Sequence, residues 1–120
     1  MRAGVILPAM TEAEGCAVLR EAFTDAGFAI VERFPFREDG VEVELDGWDA
    51  SQRVGYEYIT DEASDRTEFT PSNVAALEAR MARDELHVLL VDEHDAEDAG
   101  ELRAAAGAFL RALRDRKGQR

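Results

Sequence analysis

Residues 41–60, VEVELDGWDASQRVGYEYIT, constrain the fold more than any other stretch. Val41, Val43 and Leu45 alternate with Glu42, Glu44 and Asp46, and Val54, Tyr56 and Tyr58 alternate with Gly55, Glu57 and Ile59. A period of two on both sides of a Gly- and Asp-containing turn over 47–53 predicts an antiparallel hairpin with one buried face. With the two apolar faces on one side, Glu44, Asp46 and Glu57 gather on the other. Carboxylates there make either a divalent-metal site or a solvated sheet surface.

The flanking sequence supplies the remaining elements. Residues 1–10 contain Pro8 and are expected as an extended arm. Thr11-Glu12-Ala13-Glu14 has the form of a capping box, followed by Cys16, Leu19, Ala22 and Phe23 at helical spacing, with Gly27 placed to end the helix. Residues 29–36 predict a first strand, 37–40 a turn and 61–69 a polar connecting loop. Thr70-Pro71 opens a second helix on an N-cap and a proline at the first helical position. HVLLV at 87–91 predicts a strand covered on both faces. Asp95 is placed to cap a last helix whose buried stripe is Leu102, Ala106, Phe109, Leu110 and Leu113. The expected order is α-β-β-β-α-β-α in a single α/β (α+β) domain, with a mixed sheet whose antiparallel meander is flanked by helices.

Charge narrows the function classes. The net charge is −12 over 120 residues, which disfavours nucleic-acid binding because phosphate contacts need a basic surface. Residues 111–120 hold five basic residues and one acidic residue, so the basic C-terminal end contrasts with an acidic body. One cysteine, Cys16, allows no intrachain disulfide and reads as core; no run reaches transmembrane length, so a cytoplasmic protein is the expectation.

The element order resembles the PD-(D/E)XK nuclease-like superfamily, whose αβββαβ unit carries an acid on its second strand and acid-x-lysine on its third. GVEVELD at 40–46 is similar to the second-strand segment, with Glu44 or Asp46 in the acidic place, and VGYEYI at 54–59 to the third, with Glu57 as its acid. The resemblance implies a restriction-endonuclease-like core, Glu44, Asp46 and Glu57 as catalytic candidates, and Glu14 or Glu21 as the first-helix acid. Ile59 stands where the family has lysine. The only lysine is Lys117, which leaves an arginine such as Arg53 as a stand-in, and arginine stays protonated and cannot act as a base.

Two clusters and one aromatic residue complete the candidates. Asp46, Asp49 and Glu57 form an oxygen-rich set suited to Mg²⁺ or Mn²⁺. Asp92, His94 and Asp95 follow the buried strand and form a second set, since strand ends hold ligands in open α/β sheets. Trp48, in the expected turn, is either a partner contact or a folded-back core residue. Three functions follow: a catalytically degenerate nuclease-like domain that works through protein contacts and neutralises a basic partner; a metal-dependent nuclease with an atypical third group; and a small homodimeric structural or regulatory module. No membrane role is expected.

Overall fold

The computed structural model describes residues 10–61 and 65–118. Helix α1 (Glu12–Asp25) opens on the expected capping box, with the Glu14 N–H donating to Thr11 Oγ1 at 3.1 Å and the Thr11 N–H donating to Glu14 Oε1. It closes in a Schellman turn: Gly27 takes φ +97, the Gly27 N–H donates to the Thr24 carbonyl, and the Phe28 N–H donates to the Phe23 carbonyl. Strands β1 (Val31–Glu38) and β2 (Val41–Asp49) are joined by Asp39-Gly40, both at positive φ, as a two-residue type I′ connection requires. Strand β3 is Val54–Ile59, followed by a single helical turn α2 (Asp65–Glu68), helix α3 (Pro71–Ala82), strand β4 (His87–Asp92) and helix α4 (Ala99–Gly118). The element order is therefore the expected one, with α2 added inside the segment read as loop.

The sheet order is β1-β2-β3-β4, antiparallel through β3 and parallel between β3 and β4. The hairpin of β2 and β3 occupies its middle. Two apolar layers cover it. Leu19 and Phe23 of α1 and Leu102, Ala106 and Leu113 of α4 pack on Val54, Tyr56, Tyr58 and Val91. Leu77 of α3 joins Val41, Val43, Leu45, Trp48, Ile59 and Val88 on the other face. Among the described residues no helix is long and apolar enough to cross a membrane.

Several boundaries differ from the sequence reading, each for a local reason. Arg37 and Glu38 belong to β1, because the Asp39-Gly40 connection needs only two residues. Gly47, Trp48 and Asp49 lie in β2, and the turn is confined to 50–53, where the Asp49 carboxylate and carbonyl take the Gln52 and Arg53 N–H groups. Helix α4 is capped by Asp98, whose Oδ1 accepts from the Glu101 N–H at 2.8 Å, rather than by Asp95. Apart from Met10, the arm expected over residues 1–10 lies outside the described residues.

Trp48 is a core residue, not a partner contact. It is 1% exposed, meets the Phe36 ring edge-on at 5.4 Å and lies beneath the Arg53 guanidinium. Leu45 and Trp48 share one layer although three residues apart, while Gly47 faces the Tyr56 ring in the other. The strict alternation of β2 therefore changes phase at Asp46–Gly47. Directly across, Arg33 of β1 adopts φ +54, so both strands bend at the same level.

Candidate functional site

That bend splits the central hairpin into two unlike halves. The ladder between β2 and β3 runs only through Gly47↔Tyr56, Trp48↔Gly55 and Asp49↔Val54. Gly55 permits this close pairing, since a Cβ there would run into the Gly47 carbonyl. Beyond Gly47 the strands diverge, and carboxyl groups take the backbone donors that a ladder would have paired. The Asp46 N–H donates to Glu57 Oε1 at 2.9 Å, and the Tyr58 N–H donates to Asp46 Oδ2 at 2.8 Å. Helix α2 continues the seam: the Thr60 N–H donates to Asp65 Oδ2 at 3.0 Å and the Glu44 N–H to Glu68 Oε1 at 3.3 Å. Four acids thus serve the N–H groups of three strand residues and of Thr60, just after β3, which satisfies donors that would be costly to bury unpaired.

Facing this seam is a cleft of about 570 Å³ between α1 and the strands, lined by Glu12, Cys16, Glu44, Asp46, Tyr56 and Asp65 among others. Arg20 and Arg33 stand on it as well, but Arg20 pairs with Glu32 at 2.8 Å and Arg33 with Glu44 at 3.7 Å. Burial, reinforced by the Asp46 and Asp65 carboxylates, pushes the Glu57 carboxyl up to about 11, so it holds a proton at neutral pH. Burial also raises the Asp46 carboxyl above the usual carboxylate range, and its contact with Glu57 lets the pair share a proton. Burial, reinforced by the nearby Asp46 carboxylate, pushes the Cys16 thiol up. Glu57 is fully buried, and its Oε2 has no partner among the described residues.

Of the sequence candidates, Asp46 and Glu57 meet, and Glu44 lines the same cleft from an exposed position. Asp49 does not join them. Its carboxylate accepts from the Ala29 N–H at 2.9 Å, the Gln52 N–H at 2.9 Å and the Gln52 side chain, so it organises the turn. Against the pull of burial, these donors hold it below the ordinary carboxylate range. The metal set read as Asp46, Asp49 and Glu57 is therefore corrected: Asp49 belongs to the opposite end of the hairpin.

Arg53, the sequence stand-in for the lysine, also lies elsewhere. It is bound to Glu38 at 2.7 Å and to the Glu85 carbonyl at 3.1 Å. Lys117 donates to Gln52 at 3.3 Å, and Ile59 packs in the core with Leu77 and Val88. The helix-one acid on the cleft is Glu12, since Glu14 closes the capping box and Glu21 is exposed. Glu12 and Cys16 were missed as site residues, although their i,i+4 spacing on one helix face was a usable signal.

The second cluster also differs from its reading. Asp92 is gripped by both Arg66 nitrogens, at 2.7 and 3.2 Å, and those bonds hold its carboxyl low. His94 turns to Asp61 at 3.3 Å, whose backbone N–H donates to Glu93 Oε2, while Asp61 also pairs with Arg66. Asp95 is exposed, and its N–H donates to the Asp92 carbonyl. Arg66 is thus shared between Asp61 and Asp92. No family model, curated protein or solved structure matches the chain.

Proposed function

We propose that this chain is a catalytically degenerate PD-(D/E)XK-like domain, with a restriction-endonuclease-like core, that works by holding a basic segment of a protein partner in its acidic cleft. One observation carries the reading: the carboxyls at the two motif strands are committed to the strand N–H groups of a splayed hairpin, with Ile59 in the lysine place. A nuclease needs ionised carboxylates and a charged group beside the scissile phosphate. Here the acids serve the backbone instead, and Glu12, Glu44 and Glu68 line the cleft, giving it negative charge for electrostatic recognition. Self-association through β1 is a poorer fit, because Pro35 and the charged Glu32, Arg33 and Arg37 obstruct edge pairing.

The test is binding of an arginine-rich peptide at several salt concentrations. Glu44→Lys is expected to weaken it at least tenfold, while Glu101→Lys on α4 changes it less than about twofold, with affinity falling steeply as salt rises. Equal effects of the two variants, or no salt dependence, contradict the reading.

The contact between the Asp46 and Glu57 carboxyls favours one further reading, a Mg²⁺- or Mn²⁺-dependent nuclease with an atypical third group. Cleavage of DNA or RNA with either ion, abolished by Glu57→Gln, would support it. No cleavage by the native protein, or equal cleavage by both, removes it.

A further inference from the structure

The two edges of the sheet are unlike. β1 carries Pro35, the positive-φ Arg33 and exposed charges, devices that blunt an edge against pairing. β4, at the other edge, runs Val-Leu-Leu-Val between His87 and Asp92, with neither proline nor charge in that run. The His87 N–H donates to the Arg53 carbonyl and the Glu93 N–H to the Ile59 carbonyl, so the odd-numbered residues of β4 turn their backbone groups toward β3. Val88, Leu90 and Asp92 therefore aim their N–H and carbonyl groups outward. The Val88 N–H meets the Met81 thioether, a weak acceptor, at 3.3 Å, and the Leu90 groups have no partner among the described residues. β3 is buried throughout, whereas Leu89 and Leu90 stay partly exposed although each packs on one of the two apolar layers.

We infer that two copies of this chain pair their β4 edges antiparallel about Leu90, joining two four-stranded sheets into one. This is the register in which all three outward-facing residues find outward-facing partners. Leu90 exchanges both hydrogen bonds with Leu90 of the second copy, and Val88 lies across from Asp92. Charge selects a second copy as the occupant. At the start of β4, His87, Arg116 and Lys117 line one cavity, and the acids there are already bound, Asp84 by His87 and Glu85 by Arg80 and Arg83. At its end, residues 92–98 carry five acids, of which Arg66 pairs with Asp92. A two-fold axis at Leu90 lays the basic start of each strand against the acidic end of the other, with His87 across from Glu93. No residue of β4 lines the acidic cleft, so the pairing does not depend on what the cleft binds.

The experiment is sedimentation equilibrium of the full chain at low salt, from micromolar to millimolar concentration, paired with amide hydrogen exchange at both extremes. Expected is a mass that rises toward twice the 13.3 kDa of one chain. The Leu90 amide should exchange at least about tenfold more slowly at the high concentration. Glu93→Lys should weaken the dimer about tenfold or more, and Glu42→Lys, exposed on β2, less than about twofold, with native circular dichroism in both. A chain that stays monomeric at millimolar concentration, a dimer whose Leu90 amide exchanges at the monomer rate, or equal effects of the two variants overturns the pairing.

Discussion

Two carboxyl groups of the meander, Glu38 and Glu57, show how neighbours decide the state of an acid. Glu38 closes the outer end of β1, where Arg53 reaches it at 2.7 Å and Arg80 at 3.0 Å. The Arg53 hydrogen bond, joined by Arg80, holds its carboxyl below the usual range. Glu57 occupies the centre of β3, where burial and two further carboxylates push it the other way. One acid is matched to guanidinium groups at the surface, and the other is matched to acids and backbone in the interior. The first is a stable ion and the second a stable neutral carboxyl. Position in the sheet, rather than residue type, therefore separates a salt bridge from a protonated seam.

The halves of the β2–β3 hairpin differ in the same sense, and substitutions can break that difference. The largest effect is expected in the tightly paired half. Gly55→Ala places a Cβ against the Gly47 carbonyl and the Trp48 ring, and backbone cannot yield as a flexible side chain would. A loss of about 3 kcal/mol or more, read by urea denaturation, is expected. A change below about 1 kcal/mol would show that the pairing is looser than described.

Next is Asp49→Ala, which leaves the Ala29 and Gln52 N–H groups without their acceptor and is expected to cost about 2 kcal/mol. The splayed half should respond with the opposite sign. Glu57→Gln keeps an oxygen for the Asp46 N–H and presents an amide donor toward the Asp46 carboxyl. An unfolded glutamate loses its proton above about 4.5, whereas the folded one keeps it up to about 11. Across that window the unfolded state binds fewer protons, so the native stability falls as pH rises. Glu57→Gln is therefore expected to stabilise the metal-free protein by about 1–2 kcal/mol at pH 8, with the gain vanishing below pH 4. A destabilised variant at pH 8, by thermal melting, would mean that Glu57 is an ion in the native state.

Much of the architecture was legible because its signals are local. The alternation of Val41 to Leu45 and Val54 to Tyr58, the Thr11 capping box, Gly27 and the Thr70-Pro71 start each depend on a few adjacent residues. What escaped depends on distant ones. Asp49 is fixed partly by the Ala29 N–H, twenty residues away, so from sequence it read as one more turn aspartate. Trp48 read as a turn residue because a strict period of two leaves no place for it beside Leu45; the bend at Asp46–Gly47 and Arg33 supplies that place. Helix α2 has four residues and no apolar stripe, and its purpose, lending Asp65 and Glu68 to two strands, exists only once those strands have parted. Of the site, the meeting of Asp46 and Glu57 was legible and their neighbours were not. Cys16 fits a core stripe by spacing, and only the packing of α1 on the splayed hairpin brings it and Glu12 to Asp46.

The central claim is that the Asp46 and Glu57 carboxyls form a protonated seam between strands rather than an ionised pair. Carbon-13 NMR of the glutamate side-chain carboxyls, recorded on chelator-treated protein from pH 4 to 9, reads it directly. The Glu57 signal is predicted to stay at the protonated-carboxyl position throughout. A Glu57 signal that moves to the ionised position below pH 5 would contradict the account.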